Sequence, residues 1–100
     1  MPYAPLLSED AIAAALAELP EWQRDGDAIR SELRFPTFPD AIAFVDRVAE
    51  LAEAADHHPD IDIRWRRVVL TLTTKASHGL TERDVGLAHR IDALAAGTRA

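Results

Sequence analysis

One hundred residues suffice for one hydrophobic core and are too few for two, so residues 1–100 are expected to form a single domain. Apolar side chains make up 48% of the chain and charged ones 28%, a balance that argues against intrinsic disorder. There is no cysteine, which excludes disulfide frameworks and thiolate metal sites, and a formal charge of −6 repels phosphate backbones, so no nucleic-acid partner is expected. MPYAPLLSED carries no basic leader, and nowhere do about 18 apolar residues follow one another. The expectation is a cytoplasmic protein with no membrane contact.

Ser8 is placed to cap a first helix, with Glu9 and Asp10 in the turn where the helix dipole favours anions. Ile12, Leu16 and Leu19 recur on one face, and Pro20 stops the helix. Trp22 to Arg24 and Ala28 to Phe35 read as short strands around an Asp25-Gly26-Asp27 turn. Ile29, Leu33 and Phe35 share one parity and Arg30, Glu32 and Arg34 the other, so this strand buries one side.

Thr37 and Asp40 form a capping-box pattern with Pro39 near the start of the longest helix. Its inward positions are Ile42, Val45, Val48, Ala49, Ala52 and Ala55, and it ends by His58 because the residue before Pro59 disfavours helix. Ile61, Ile63 and Trp65, then Val68, Leu70 and Leu72, alternate with other residues as in a two-stranded hairpin turning at Arg66-Arg67. Thr81 and Asp84 form a second capping box, opening a helix with Leu87, Ala88, Ile91, Leu94 and Ala95 inward and Gly97 at its end. The order predicts an α+β fold: one four-stranded antiparallel sheet with three helices packed on one face. The opposite face would carry Val69, Thr71 and Thr73, apolar enough to suggest an oligomer that covers it.

The chemistry concentrates between Glu53 and Asp84, which holds three of the four histidines, His57, His58 and His78. Histidine changes charge near neutral pH, so a pair at a helix end is a candidate for proton transfer. The plainer reading is a polar helix terminus whose rings bond the last carbonyls. Their adjacency argues against a shared metal ion, since the helical chelate spaces two histidines four apart. Glu53 stands one helical turn before His57 and either pairs with it or is solvated. His89 reads as surface. Arg64, Arg66 and Arg67 around Trp65 make a small basic patch, which the polarity of a hairpin turn explains equally well.

His57-His58-Pro59 after a helix, followed by strands and then Thr74-Lys75-Ala76-Ser77-His78-Gly79-Leu80-Thr81-Glu82-Arg83-Asp84, resembles the pterin-4a-carbinolamine dehydratase family. The likeness runs from Leu19-Pro20-Glu21-Trp22 to Leu87-Ala88 and Ile91-Asp92. It implies an enzyme that dehydrates 4a-hydroxytetrahydropterin to quinonoid dihydropterin in tetrahydrobiopterin recycling. It further implies that no metal and no organic cofactor takes part, and that the chain is a homodimer or homotetramer. By the same resemblance His57 and His58 match the first two members of a three-histidine site, and Asp84 matches its helix-cap aspartate. Lys75 stands at the third histidine position; its ammonium can donate but not accept. His78 lies three residues further on. The catalytic set implied is His57, His58, Lys75 and Asp84, with Pro59, Asp60 and His78 contacting the substrate. Some relatives assist transcription-factor dimerisation or Rubisco assembly, so the alternative is a dehydratase-like fold serving as a partner-binding or assembly protein.

Overall fold

In the computed structural model, which describes residues 4–96, two alternating strands form the centre of the sheet. β2 (Ala28–Arg34) runs antiparallel to β4 (Arg67–Leu72), with Ile29 opposite Leu72, Ser31 opposite Leu70 and Leu33 opposite Val68. Opposed residues share a face, and all six of these are buried. β1 (Trp22–Asp25) and β3 (Asp60–Arg64) add at the edges, giving the order β1-β2-β4-β3, antiparallel throughout. α1 (Glu9–Ala17), α2 (Phe38–Ala55) and α3 (Glu82–Ala95) complete the expected α+β order, with a single 3-10 turn, Lys75–Ser77, between β4 and α3. Phe44 and Val48 of α2 and Leu87 and Ile91 of α3 join the sheet residues in one core.

Caps follow the sequence closely. The Ser8 hydroxyl accepts from the Ala11 N–H, and that of Thr37 from the Asp40 N–H. Gly26, at φ +60°, is the first residue of a two-residue turn, a position where the left-handed backbone favours glycine. Arg24 of β1 reaches Glu9 of α1 at 2.7 Å, and that hydrogen bond holds the Glu9 carboxyl below its ordinary range. Trp22 donates its indole N–H to Asp92 of α3 at 2.9 Å.

Three expectations are corrected. The β3–β4 turn is Trp65-Arg66, since Arg64 pairs directly with Arg67; Trp65 takes φ +56° and lies under the Arg66 guanidinium at 4.7 Å. On α2, Val48 and Ala52 are buried and Val45 and Ala55 pack partly against the core as expected, but Ala41 and the bulky Phe44 are the other buried residues, Ile42 is only half-buried and Ala49 is exposed. The sheet face opposite the core is not an apolar surface. Val69 and Thr71 there are flanked by Glu32, Arg30, Asp62 and Asp60, while the exposed large apolar side chains lie on edge strand β3, at Ile61 and Ile63, and at Leu6, Phe38 and Trp65. The predicted stop at Gly97 lies outside the described residues.

The end of α2 positions the histidines. Asp56 takes a left-handed conformation, φ 51° and ψ 44°; its N–H donates to the Glu53 carbonyl, and the His57 N–H donates back to the Ala52 carbonyl at 3.1 Å. This is a Schellman closure with aspartate where glycine is usual, and it ends the helix two residues before the pair His58-Pro59 could do so. Left-handed backbone costs an ordinary side chain about 1–2 kcal/mol, more for a β-branched one. Asp56→Gly should therefore hold or raise stability, and Asp56→Val should lower it by about 1–2 kcal/mol in urea unfolding. Equal stability for both variants would show that this conformation does not set the helix end.

Candidate active site

Three chain segments meet at one buried carboxylate. α2 delivers His57 through the Schellman turn, the exit of β4 delivers Thr74, and the start of α3 delivers Thr81 and Asp84. Thr81 is the N-cap of α3 and Asp84 its third residue; the Thr81 N–H donates to Asp84 Oδ2 at 2.9 Å, so the predicted capping box is present. Thr74 and Gly79 pair across the intervening loop, closing it around the 3-10 turn and holding Thr74 beside Thr81.

Asp84 and Thr81 have no exposed surface, and Thr74 and His57 are buried. The Thr74 hydroxyl donates to Asp84 Oδ2 at 2.8 Å, and His57 Nε2 lies 2.6 Å from Asp84 Oδ1. An ionised Asp84 accepts only, so Nε2 carries a hydrogen, and in the neutral ring Nδ1 keeps its lone pair. Nδ1 has no protein hydrogen-bond partner among the described residues. His57 also lies on the wall of an open cleft of about 300 Å³, shared with Asp56, His58, Thr73, Thr74, Lys75, Ala76 and Arg83.

His58 behaves differently. Its Nε2 lies 2.6 Å from Glu53 Oε1 with both side chains largely exposed. The sequence suggested Glu53 with His57, one helical turn apart; the left-handed Asp56 breaks that periodicity, and Glu53 meets His58 instead. Lys75, also exposed, approaches Asp60 at 4.0 Å. Of the residues expected to touch substrate, Asp60 is exposed at the start of β3, Pro59 is half-buried, and His78 caps the 3-10 turn in a left-handed conformation, exposed. None of the three is among the residues lining the cleft. Thr74 and Arg83 line it without having been singled out. Arg83 stands two residues after the capping threonine, inside the capping box, a signal available in the sequence; Thr74 resembles any strand-end threonine. His89 is exposed, 3.8 Å from Glu18. Among the described residues no cluster of three or more His, Asp or Glu is placed to hold a metal ion, and no helix is long and apolar enough to cross a membrane.

The structure is an α+β fold in which a buried aspartate at a helix N-terminus holds a histidine on a cleft wall, and comparison with known chains gives its family. The sequence profile described as Pterin 4 alpha carbinolamine dehydratase matches residues 5–94. A Nocardia farcinica protein provisionally named as a pterin-4-alpha-carbinolamine dehydratase is 59% identical over 90 residues, 90% of this chain and 95% of that protein. A Roseiflexus relative of the same provisional name is 56% identical over 86% of this chain and 92% of its own. The crystal structure of a transcriptional coactivator/pterin dehydratase from Brucella melitensis superposes with a TM-score of 0.87 at 35% identity, covering 90% of this chain and 98% of that one. A pterin dehydratase-like protein identified as a RuBisCO assembly factor in the alpha-carboxysome superposes at 0.63 with 29% identity, covering 77% of this chain and 88% of that one. The chain belongs to the pterin 4 alpha carbinolamine dehydratase family.

Removing Asp84 would leave buried donors without a partner, each costing about 1–3 kcal/mol, whereas the Glu53–His58 pair is exposed and contributes little. Asp84→Ala should lower unfolding free energy by about 2–4 kcal/mol and Glu53→Ala by less than about 1 kcal/mol, measured by denaturant titration. Similar losses for the two would contradict the role given to burial.

Proposed function

We propose that the protein, as one domain over residues 1–100, dehydrates a 4a-hydroxytetrahydropterin to the quinonoid dihydropterin. The observation that carries this reading is the His57 ring, pinned by Asp84 on the wall of a cleft that also presents His58 and Lys75. In the reaction Nδ1 of His57 takes the N5 proton as its electron pair forms the C4a=N5 bond. The C4a–O bond breaks, and the departing hydroxide leaves as water with a proton from His58, the neighbouring ring paired with Glu53. Lys75, an ammonium at the cleft rim, stabilises the departing oxygen electrostatically, a role that needs no proton acceptance. Asp84 supports His57 and does not itself transfer a proton. Pro59, Asp60 and His78, which lie outside the cleft lining, would complete the substrate contacts in this reading. Neither a metal ion nor an organic cofactor takes part in the steps so written. The setting is cytoplasmic, with tetrahydrobiopterin recycling the process served.

Each positioned proton transfer is typically worth on the order of 10² to 10⁴ in rate. Conversion of synthetic carbinolamine, followed by absorbance of the quinonoid product, should fall by about that factor in His57→Ala and to the spontaneous rate in the His57→Ala, His58→Ala double variant. Double-variant rates equal to wild type would remove the proposal. Similarity to a RuBisCO assembly factor and the lysine at position 75 favour a second reading, a partner-binding protein of weak or absent activity. Lys75→His separates the two: a large gain marks an impaired catalyst, and no turnover in either form marks the binding protein.

The reading includes a homodimer or homotetramer. β3 is an edge strand with every residue exposed, and a twofold pairing of two copies centred on Asp62 sets Ile61 against Ile63 of a second copy and Asp60 against its Arg64. Apolar side chains meet on one side, and on the other two Asp60–Arg64 pairs flank an opposed pair of Asp62 carboxylates at the twofold axis. Ile63→Lys should then give monomer in light scattering with unchanged far-UV circular dichroism. An unaltered assembly mass would move the interface elsewhere.

A further inference from the structure

With Asp84 ionised, the hydrogens around it can be arranged in only one way. Thr74 donates to Oδ2 at 2.8 Å, which uses its single hydrogen, so in the 2.7 Å contact between the two threonine hydroxyls Thr81 is the donor and Thr74 the acceptor. The Thr81 oxygen in turn accepts from the Arg83 N–H at 3.2 Å. The chain therefore runs from Thr81 to Thr74 to Oδ2, while Oδ1 faces His57 Nε2. The terminal torsion of an aspartate has no sharp staggered preference and is close to free over a wide arc. Without Thr74 the carboxylate is held by the Thr81 N–H on Oδ2 and by the His57 ring on Oδ1, and since the ring turns about its own terminal torsion, ring and carboxylate can turn together. A second donor on the same oxygen, from a different chain segment, fixes the plane.

We propose that Thr74 is a positioning residue: its hydroxyl locks the Asp84 carboxylate plane, which selects the His57 tautomer bearing hydrogen on Nε2 and leaves Nδ1 free. The inference rests on the reading of His57 as the base, and it explains how one histidine can be kept in its working form where the third ring of the site is a lysine. Thr74 lies next to Lys75 in sequence and at the end of β4, so the strand that carries the sheet core also sets the site's hydrogen polarity. It does not act on substrate in this account.

The test is the ring nitrogen spectrum of ¹⁵N-histidine-labelled protein, taken on wild type, Thr74→Val and Thr74→Ser where the His57 ring is neutral, together with steady-state kinetics. Wild type and Thr74→Ser should show one protonated and one bare nitrogen, with hydrogen on Nε2. In Thr74→Val the two resonances should move toward each other, and kcat should fall by about 10- to 100-fold with KM changed by less than about twofold. Should Thr74→Val fail to fold, Thr74→Cys, a weak donor of similar size, should give intermediate nitrogen shifts. A Val or Cys variant with the wild-type spectrum and kcat, a Ser variant as impaired as Val, or hydrogen on Nδ1 in wild type would each overturn the proposal. The spectrum needs no substrate, so a wild type without turnover would count against the dehydratase reading alone.

Discussion

A carboxylate with no exposed surface is tolerated only when its oxygens are fully engaged, and Asp84 meets that demand with donors from three separate chain segments. The requirement couples the end of α2, the exit of β4 and the start of α3 at a single point. A shift in any of them breaks a buried hydrogen bond. The local devices follow from it: the Schellman turn at Asp56 brings His57 inward, the Thr74–Gly79 bridge returns the chain after β4, and Thr81 caps α3 while offering its N–H. Structure and site thus depend on the same group.

The same arrangement puts two adjacent histidines in different surroundings. His57 is buried against a carboxylate; His58, one residue on, is exposed and paired with the exposed side chain of Glu53. Proton removal benefits from the first kind of group, whose geometry is set in advance, and exchange with water benefits from the second. Although the chain carries a formal charge of −6, the cleft presents Lys75 and Arg83. That local reversal of sign suits a step in which negative charge develops on a leaving oxygen.

The parts legible in the sequence were those governed by local rules. Strand parity at Ile29, Leu33, Val68, Leu70 and Leu72, the caps at Ser8, Thr37 and Thr81, and the helix end before Pro59 all follow from neighbouring residues. The parts misread depend on tertiary choices. Helical spacing leaves Glu53 either paired with His57 or solvated, but the left-handed Asp56 removes His57 from the helix and gives Glu53 to His58. The core stripe of α2 turned toward Phe44, which residue spacing alone does not weigh against Ile42. Exposure at Ile61 and Ile63 comes from their place on an edge strand, information held by the strand order and not by β3 itself. Thr74 escaped notice because a threonine after a strand has an ordinary explanation, and only its distance to Asp84 reveals another.

The account stands or falls on where a pterin ring sits. A crystal structure with a bound, unreactive tetrahydropterin analogue should place the N5 and C4a edge in the cleft beside His57, with N5 about 3 Å from Nδ1 and the C4a substituent toward His58 and Lys75. A ring bound elsewhere, or bound there with that edge turned away from His57, would contradict it.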